Sequence, residues 1–519
     1  IWAYLTWVGV GESELTWFLE HRCPPDVVGI NYYVTSERVL DEHKHAYPRD
    51  RWGGNGRDSY ADMEAPRVRV EGSGGWRVLL REAWERYHLP VAATEVHLGG
   101  PADEQLRWLS EAWNAGLELR QQGVNVRAVT AWSLFGAYDW NQLVTSSQGF
   151  YEPGVFDVRA PRPRPTALAG VVRQLARGES PTHPVLDGPG WWRRPDRFTV
   201  PPISTEAGVT AQDEVQPARS DTGGMRPVLI TGATGTLGQA FARICQQRGL
   251  AYRLCSRADM DIAHAASVAR TLDAVKPWAV INTAGYVRVD DAERDVERCL
   301  RENTSGPAVL SAACALRGVR LVTFSSDLVF DGSKGAAYVE RDPVAPLNVY
   351  GRSKAEAERL VLGSDPTALI IRTSAFFGPW DTHNFVYHAL RALGLGEEFW
   401  AASDAVVSPT YVPDLVHASL DLLVAGEQGV WHLTNAEGVT WAALAQRAAE
   451  LAGISIASLR TRPIAELGLA AARPLASALQ SERGWIMPPL EDALARYLVA
   501  PGSPAQDLVC AEDRSLLRL

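Results

Sequence analysis

Tyr350 and Lys354 stand four residues apart in the stretch Tyr350-Gly351-Arg352-Ser353-Lys354. On a helix that spacing puts both side chains on one face. A phenol with an unperturbed pKa of ~10 protonates a carbonyl oxygen poorly when unaided, and a neighbouring ammonium brings it into a useful range. Upstream, the apolar run Leu321-Val322-Thr323-Phe324 ends in Ser325-Ser326-Asp327. A hydroxyl at Ser326 would hold a substrate carbonyl while hydride reaches its carbon and the Tyr350 proton reaches its oxygen. An ordinary amphipathic helix also produces Tyr-x-x-x-Lys, so the pair gains meaning only from what accompanies it.

A glycine turn accompanies it. Val228-Leu229-Ile230 runs into Thr231-Gly232-Ala233-Thr234-Gly235-Thr236-Leu237-Gly238 and then into the helix-like Gln239 to Gln247. Strand, glycine turn and helix in that order form a dinucleotide cradle, because glycines admit the tight turn and the pyrophosphate charge sits at the helix N-terminus. Gly232, Thr234, Gly235, Thr236, Leu237 and Gly238 are the expected cofactor contacts. The next strand, Tyr252 to Cys255, ends in Ser256-Arg257, where an acid would favour NAD and Arg257 can pair with a 2′-phosphate. NADPH is therefore the expected cofactor, with NADH the alternative. Asp261 and Ile262 follow at a spacing suited to adenine, and Ala284-Gly285 after the strand Ala279-Val280-Ile281 are small enough for a cofactor to lie against the sheet.

These motifs need elements to carry them. From residue 226 onward, short apolar runs alternate with helix-like stretches, the pattern of βαβ units and a doubly wound parallel sheet. Before that, residues 181–225 hold seven prolines followed by Ser220, Thr222, Gly223 and Gly224, which is linker composition. The expected plan is a segment over 1–180, a linker over 181–225, an α/β Rossmann domain with a small substrate lobe over 226–500, and a tail over 501–519. The length of 519 residues suits two large domains. A net charge of −10 argues against nucleic acid as a partner, although a local basic patch could still exist. Six scattered cysteines without C-x-x-C spacing suggest neither a metal site nor disulfides, and no apolar run is long enough to span a membrane. A cytoplasmic protein is expected. The opening Ile1-Trp2-Ala3-Tyr4-Leu5-Thr6-Trp7 reads as a domain interior, as if the beginning of the chain were missing.

Taken together, Thr231-Gly232-x-x-Gly235-x-x-Gly238, Ser325-Ser326-Asp327-x-Val329-Phe330-Asp331-Gly332, Pro346 to Lys354, Arg372-Thr373-Ser374 and Ser408-Pro409-Thr410-Tyr411-Val412-x-Asp414-Leu415 resemble the extended short-chain dehydrogenase/reductases, and within them the dTDP-4-dehydrorhamnose reductases. The resemblance covers residues 226 to about 500 and implies NADPH-dependent reduction of the 4-keto group of a nucleotide-linked 6-deoxy sugar. It implies Ser326 as the hydroxyl residue, Tyr350 as the acid and Lys354 as its activator, the last two also touching cofactor. It further implies that Val287, Asp327, Leu328, Ala375 and Phe377 face the sugar. Two positions depart from the pattern: a Tyr is replaced by Leu328 and a Trp by Ala375, which widens the pocket and removes hydrogen-bond donors, while Phe376 and Phe377 refill part of the space. An epimerase or dehydratase of the same fold and a non-catalytic, NADP-binding regulatory subunit stay open beside the reductase. A homodimer is compatible with all three.

The N-terminal segment shows strand-like runs at Val27 to Tyr33, Pro90 to Val96 and Val126 to Ser133, each ending in polar or aromatic residues, with helix-like Asp103 to Gln122 between the last two. That pattern suggests part of a (β/α) barrel. Gly29-Ile30-Asn31-Tyr32-Tyr33, Thr94-Glu95 and Ala131-Trp132-Ser133-Leu134 with Asp139-Trp140 resemble the last third of glycoside hydrolase family 1. The resemblance implies Glu95 as a nucleophile. Retaining hydrolysis also needs a second carboxyl about 5–5.5 Å away, and the family's Asn-Glu-Pro motif is absent from this chain, so a sugar-binding or degenerate role stands level with a catalytic one.

Overall fold

The computed structural model describes residues 1–142, 145–147, 149–200, 224–435, 438–484 and 487–506. The chain forms two compact units. One holds Ile1–Leu98, Trp108–Ser133 and, among the described residues, 192–200; the other holds Gly99–Arg107, Leu134–Trp191 and the chain from 224 onward. This grouping differs from a break at residue 181, because residues 134–191 pack with the C-terminal unit. Part of the expected linker is also folded: Pro184–Asp187, Trp191–Arg193 and Pro195–Arg197 are short 3-10 turns, with Val185 and Trp192 buried. Its remaining stretch, 201–223, and most of the expected tail lie outside the described residues.

The larger unit is built on six parallel strands: β1 Val228–Thr231, β2 Tyr252–Cys255, β3 Ala279–Asn282, β4 Arg320–Ser326, β5 Leu369–Thr373 and β6 Gly429–His432, in the order β2-β1-β3-β4-β5-β6. The order reverses after β2, so the C-terminal ends of β1 and β3 flank the switch point where a doubly wound sheet receives its ligand. The runs Val228–Ile230 of β1 and Ala279–Ile281 of β3 are apolar and buried because both faces of the sheet are covered. On one face Leu229, Val280, Leu321 and Ile370 pack with Val268 and Leu272 of α2 (Ala265–Val275), Leu310 and Cys314 of α3 (Gly306–Ala315) and Val361 of α4 (Val349–Ser364). On the other, α1 (Thr236–Gln247) lies beside α5 (Val412–Val424). A second cluster, including Phe377, Leu390, Tyr411, Leu444 and Tyr497, forms the core of the smaller lobe.

The smaller unit has a three-stranded parallel sheet of Val28–Asn31, Val91–Val96 and Val126–Ala131, with the middle strand central, and a separate three-stranded antiparallel sheet. Its core is aromatic: Tyr32, Trp76, Trp108 and Trp192 are buried with successive ring centres 5.0–5.9 Å apart. Three parallel strands do not close a barrel. No helix among the described residues is long and apolar enough to cross a membrane.

Candidate active site

β1 ends level with β2 and β3, Thr231 being in register with Cys255 and Asn282. That register places the glycine turn between the strand ends. Thr231 Oγ1 donates to Asn282 Oδ1 at 2.8 Å and accepts the Ala284 N–H at 3.2 Å, which ties the two loops together. Gly238 is required here: a Cβ on it would collide with the Gly232 carbonyl oxygen, so the first turn of α1 could not close on the loop. Gly235 caps α1 with no side-chain hydrogen bond, and Thr234 and Gly235 are exposed. The first-turn N–H groups are thus open to an anion, and the cradle fits a dinucleotide pyrophosphate. Thr236 and Leu237 complete that turn, with Leu237 buried.

The expected adenosine-side residues divide. Arg257 follows β2 with its side chain 58% exposed, paired to Glu302 at 2.6 Å, and a guanidinium has donors left for a phosphate. Asp261 is held by Arg301 at 2.5 Å and by the Ala263 N–H at 3.0 Å. Ile262 is buried in the sheet core against Gly306, so its side chain supports the site from below. Gly285 lies against Asn303, which accepts the Tyr286 N–H at 2.8 Å and donates to Ser353 Oγ at 3.1 Å. Asn303 belongs to a π-helical turn, Arg301–Ser305, that sequence reading passes over, since nothing local distinguishes it from α-helix.

Tyr350 and Lys354 occupy the first turns of α4. Asn348 starts that helix by accepting the Gly351 N–H at 2.7 Å, and its amide donates to the Ala472 carbonyl at 2.8 Å. Lys354 Nζ lies 5.7 Å from the Tyr350 ring centre and donates to the Phe324 carbonyl at 3.1 Å. Burial holds the Lys354 ammonium down to about 8, with Cys299 and Glu358 acting in the opposite direction. Burial raises the Tyr350 phenol well above its ordinary value, Asp327 and Cys299 push the same way, and its hydrogen bond with Ser326 pulls back. The Ser326 hydroxyl donates to Asp327 at 2.8 Å and accepts the Leu328 N–H at 3.1 Å. Asp327 is buried, which raises its carboxyl pKa, against the pull of the Ser477, Ser374 and Ser326 hydroxyls.

These groups open onto a cavity of about 520 Å³ whose lining includes Val287, Ser326, Asp327, Leu328, Tyr350 and Ala375. The expectation for Phe377 needs correction. It is buried in the lobe core against Tyr411 and Tyr497, and Phe376 lines the cavity instead, because neighbours along the strand Phe376–Phe377 point to opposite faces. Trp400, Trp441, Arg473 and Ser477 also line it. Only the fold brings these distant positions to Tyr350. Ser325, which lines the cavity, carries a buried hydroxyl with no hydrogen-bond partner among the described residues.

A family model described as the RmlD substrate binding domain matches residues 225–490, just over half of the chain. The chain belongs to this family. A protein of Streptomyces griseus named dTDP-4-dehydrorhamnose reductase is 35% identical over 263 residues, 49% of this chain and 86% of that protein. One of Aggregatibacter actinomycetemcomitans with the same name is 35% identical over 225 residues, 42% and 76% of the two chains. The crystal structure of dTDP-4-dehydrorhamnose reductase from Bacillus anthracis str. Ames in complex with NADP superposes with a TM-score of 0.50 at 30% identity, covering 52% of this chain and 98% of that one. The RmlD match takes in the glycine turn, Ser326, the Tyr350–Lys354 pair and every cavity residue named above. It begins after the first unit and says nothing of that part of the chain.

Proposed function

We propose that the chain is an NADPH-dependent oxidoreductase that reduces the 4-keto group of a nucleotide-linked 6-deoxy sugar, dTDP-4-dehydro-L-rhamnose being the first substrate to try. The observation that carries this reading is that Ser326 and Tyr350 line one cavity with Lys354 beside the Tyr350 ring, in a sheet whose first strand ends in an uncapped glycine turn. The names of the RmlD relatives and the NADP complex of one of them support it. NADPH held by the glycine turn, with Arg257 toward its 2′-phosphate, would supply hydride to the carbonyl carbon. The chain's residues do the rest. Ser326 orients the carbonyl, Tyr350 gives its phenolic proton to the developing alkoxide, and the Lys354 ammonium stabilises the phenolate that remains.

The sugar pocket points beyond the standard substrate. Leu328 and Ala375 leave the cavity floor without polar aromatic tips, while Trp400, Trp441, Phe376 and Phe385 give it apolar walls. A keto-sugar with fewer free hydroxyls fits such a wall better. The test is loss of NADPH absorbance with enzymatically generated dTDP-4-keto-6-deoxy-L-sugar, wild type against Tyr350→Phe. Turnover in the wild type and its loss by at least about a hundredfold in the variant is expected. Turnover that survives Tyr350→Phe would sink the assignment of the acid.

In the smaller unit the reading is a sugar-binding remnant of a glycosidase. Tyr33 donates its phenolic proton to Glu95, and Thr94 donates to Asn31 at 2.7 Å, at the ends of adjacent parallel strands. This supports Glu95 as a functional carboxylate.

A further inference from the structure

A second cavity, of about 480 Å³, lies at the N-terminal edge of the six-stranded sheet, the edge opposite the glycine turn. Arg173, Arg226 and Arg320 line it, and no carboxylate does. The sheet register explains the convergence. Arg320 opens β4 level with Ala279 of β3, which is level with Val228 of β1, so Arg226, Trp278 and Arg320 stand at or just before the starts of three neighbouring strands. Two strand spacings separate the outer pair, roughly 10 Å across the sheet.

Among the described residues, Arg226 and Arg320 are held by backbone carbonyls and not by carboxylates. Arg320 donates from Nη2 to the Glu427 carbonyl at 2.6 Å, and its buried Nε has no hydrogen-bond partner among the described residues. Arg226 donates to the Pro277 carbonyl at 3.2 Å. The acids nearest Arg320 are Asp365 and Glu427. Both are spent elsewhere: Asp365 accepts from the Thr367 N–H and hydroxyl, and Glu427 pairs with Arg164 and Arg483. A cationic wall without a carboxylate on it raises the local positive potential, which a bound anion would offset.

One further feature favours negative charge. The helix Ala167–Ala176 turns its first residues, Ala167, Ala169 and Gly170, to the cavity, and its N-cap Thr166 gives its hydroxyl to the Gly154 and Val155 carbonyls at 2.8 and 3.0 Å rather than taking a helix N–H. His183 does not compete for the ligand, since its Nε2 is 3.0 Å from the Val424 carbonyl. In a chain of net charge −10, three arginines on one concave wall without an acid among them are a local inversion of sign.

We propose that this cavity binds a phosphorylated metabolite, with two linked phosphoryl groups bridging Arg226 and Arg320 and Arg173 closing over them. The site is separate from the reductase cavity, so its ligand would bind together with cofactor. The probe is inorganic pyrophosphate, titrated calorimetrically into the full chain with and without saturating NADP⁺, which keeps pyrophosphate out of the glycine turn. One site that persists under NADP⁺ is expected. The variant Arg173→Gln/Arg226→Gln changes two exposed side chains and should weaken that site by about tenfold or more, leaving NADP⁺ affinity and the thermal midpoint unchanged. Orthophosphate should bind more weakly than pyrophosphate. Absence of a site under NADP⁺, or a double variant that binds pyrophosphate like the wild type, would overturn the proposal; orthophosphate binding as tightly as pyrophosphate would overturn its two-phosphoryl form.

Discussion

At the scale of single residues, the site separates two titrations that the bare motif leaves overlapping. Burial drives the Tyr350 phenol upward, so it stays protonated through the working range, while burial brings the Lys354 ammonium down to about 8. The ammonium is the form that stabilises a phenolate. With the proton on Lys354 below that value and gone above it, kcat/KM for keto-sugar reduction should fall on the alkaline side with a midpoint near pH 8. Lys354→Arg keeps a cation at all these pH values. That variant should be slower, with its alkaline limb displaced upward; a limb that stays near pH 8 would assign the titration to another group. That Lys354 shares a helix face with Tyr350 was legible in the sequence from their four-residue spacing. The direction of its shift was not, because desolvation depends on everything packed around the ammonium.

At the scale of elements, the working part is the junction of α4 with the end of β4. Gly351 lies so close to the turn Asp327–Val329 after β4 that a Cβ there would collide with the Leu328 carbonyl oxygen. Its neighbour Tyr350 is thereby held over Ser326. Gly351→Ala should push the helix away, costing about 1–3 kcal/mol of stability by overpacking. It should also lower kcat by at least about tenfold through misplacement of the acid. Thermal unfolding and NADPH turnover measure the two effects, and a variant with wild-type kcat would show that the close approach does not position Tyr350. Strand, turn and helix order over β1 and α1 was readable because glycine conformation and helix spacing are local. Which of Phe376 and Phe377 faces the cavity was not, because a two-residue strand has no periodicity to read and its facing is set by pairing with Thr410–Tyr411.

At the scale of the larger unit, the core is held by a buried polar network that makes folding sensitive to acid. Arg372 of β5 pairs with Glu358 of α4 at 2.6 and 2.8 Å, and its Nη1 lies 3.3 Å from His432 Nε2 of β6. The other ring nitrogen of His432 meets the Tyr338 and Gln480 carbonyls at 3.1 and 3.0 Å. Only a neutral ring, donating from Nδ1 and accepting at Nε2, satisfies all of these. Burial accordingly holds His432 down to about 4, against about 6.5 in an unfolded chain. The unfolded state then binds the proton first, so stability is intact above about pH 6.5 and falls as pH drops toward 4. His183 and His417, also lowered by burial, act in the same direction. Tm measured from pH 7 to 4 should show this loss, and His432→Gln should lower Tm at pH 7 and make the slope shallower. An unchanged slope would remove His432 from the network's acid response. By itself, the sequence determined the order of motifs along the reductase half: glycine turn, Ser326, Tyr350 and Lys354, each set by backbone conformations or spacings a few residues long. The tertiary structure alone decided which distant residues share the cavity, bringing Trp400, Trp441, Arg473 and Ser477 to Tyr350, and placing 134–191 with the C-terminal unit. It also brought Arg226 and Arg320 to one cavity at the far edge of the sheet. Strand register and burial are properties of the whole packed unit, and no window of sequence contains them.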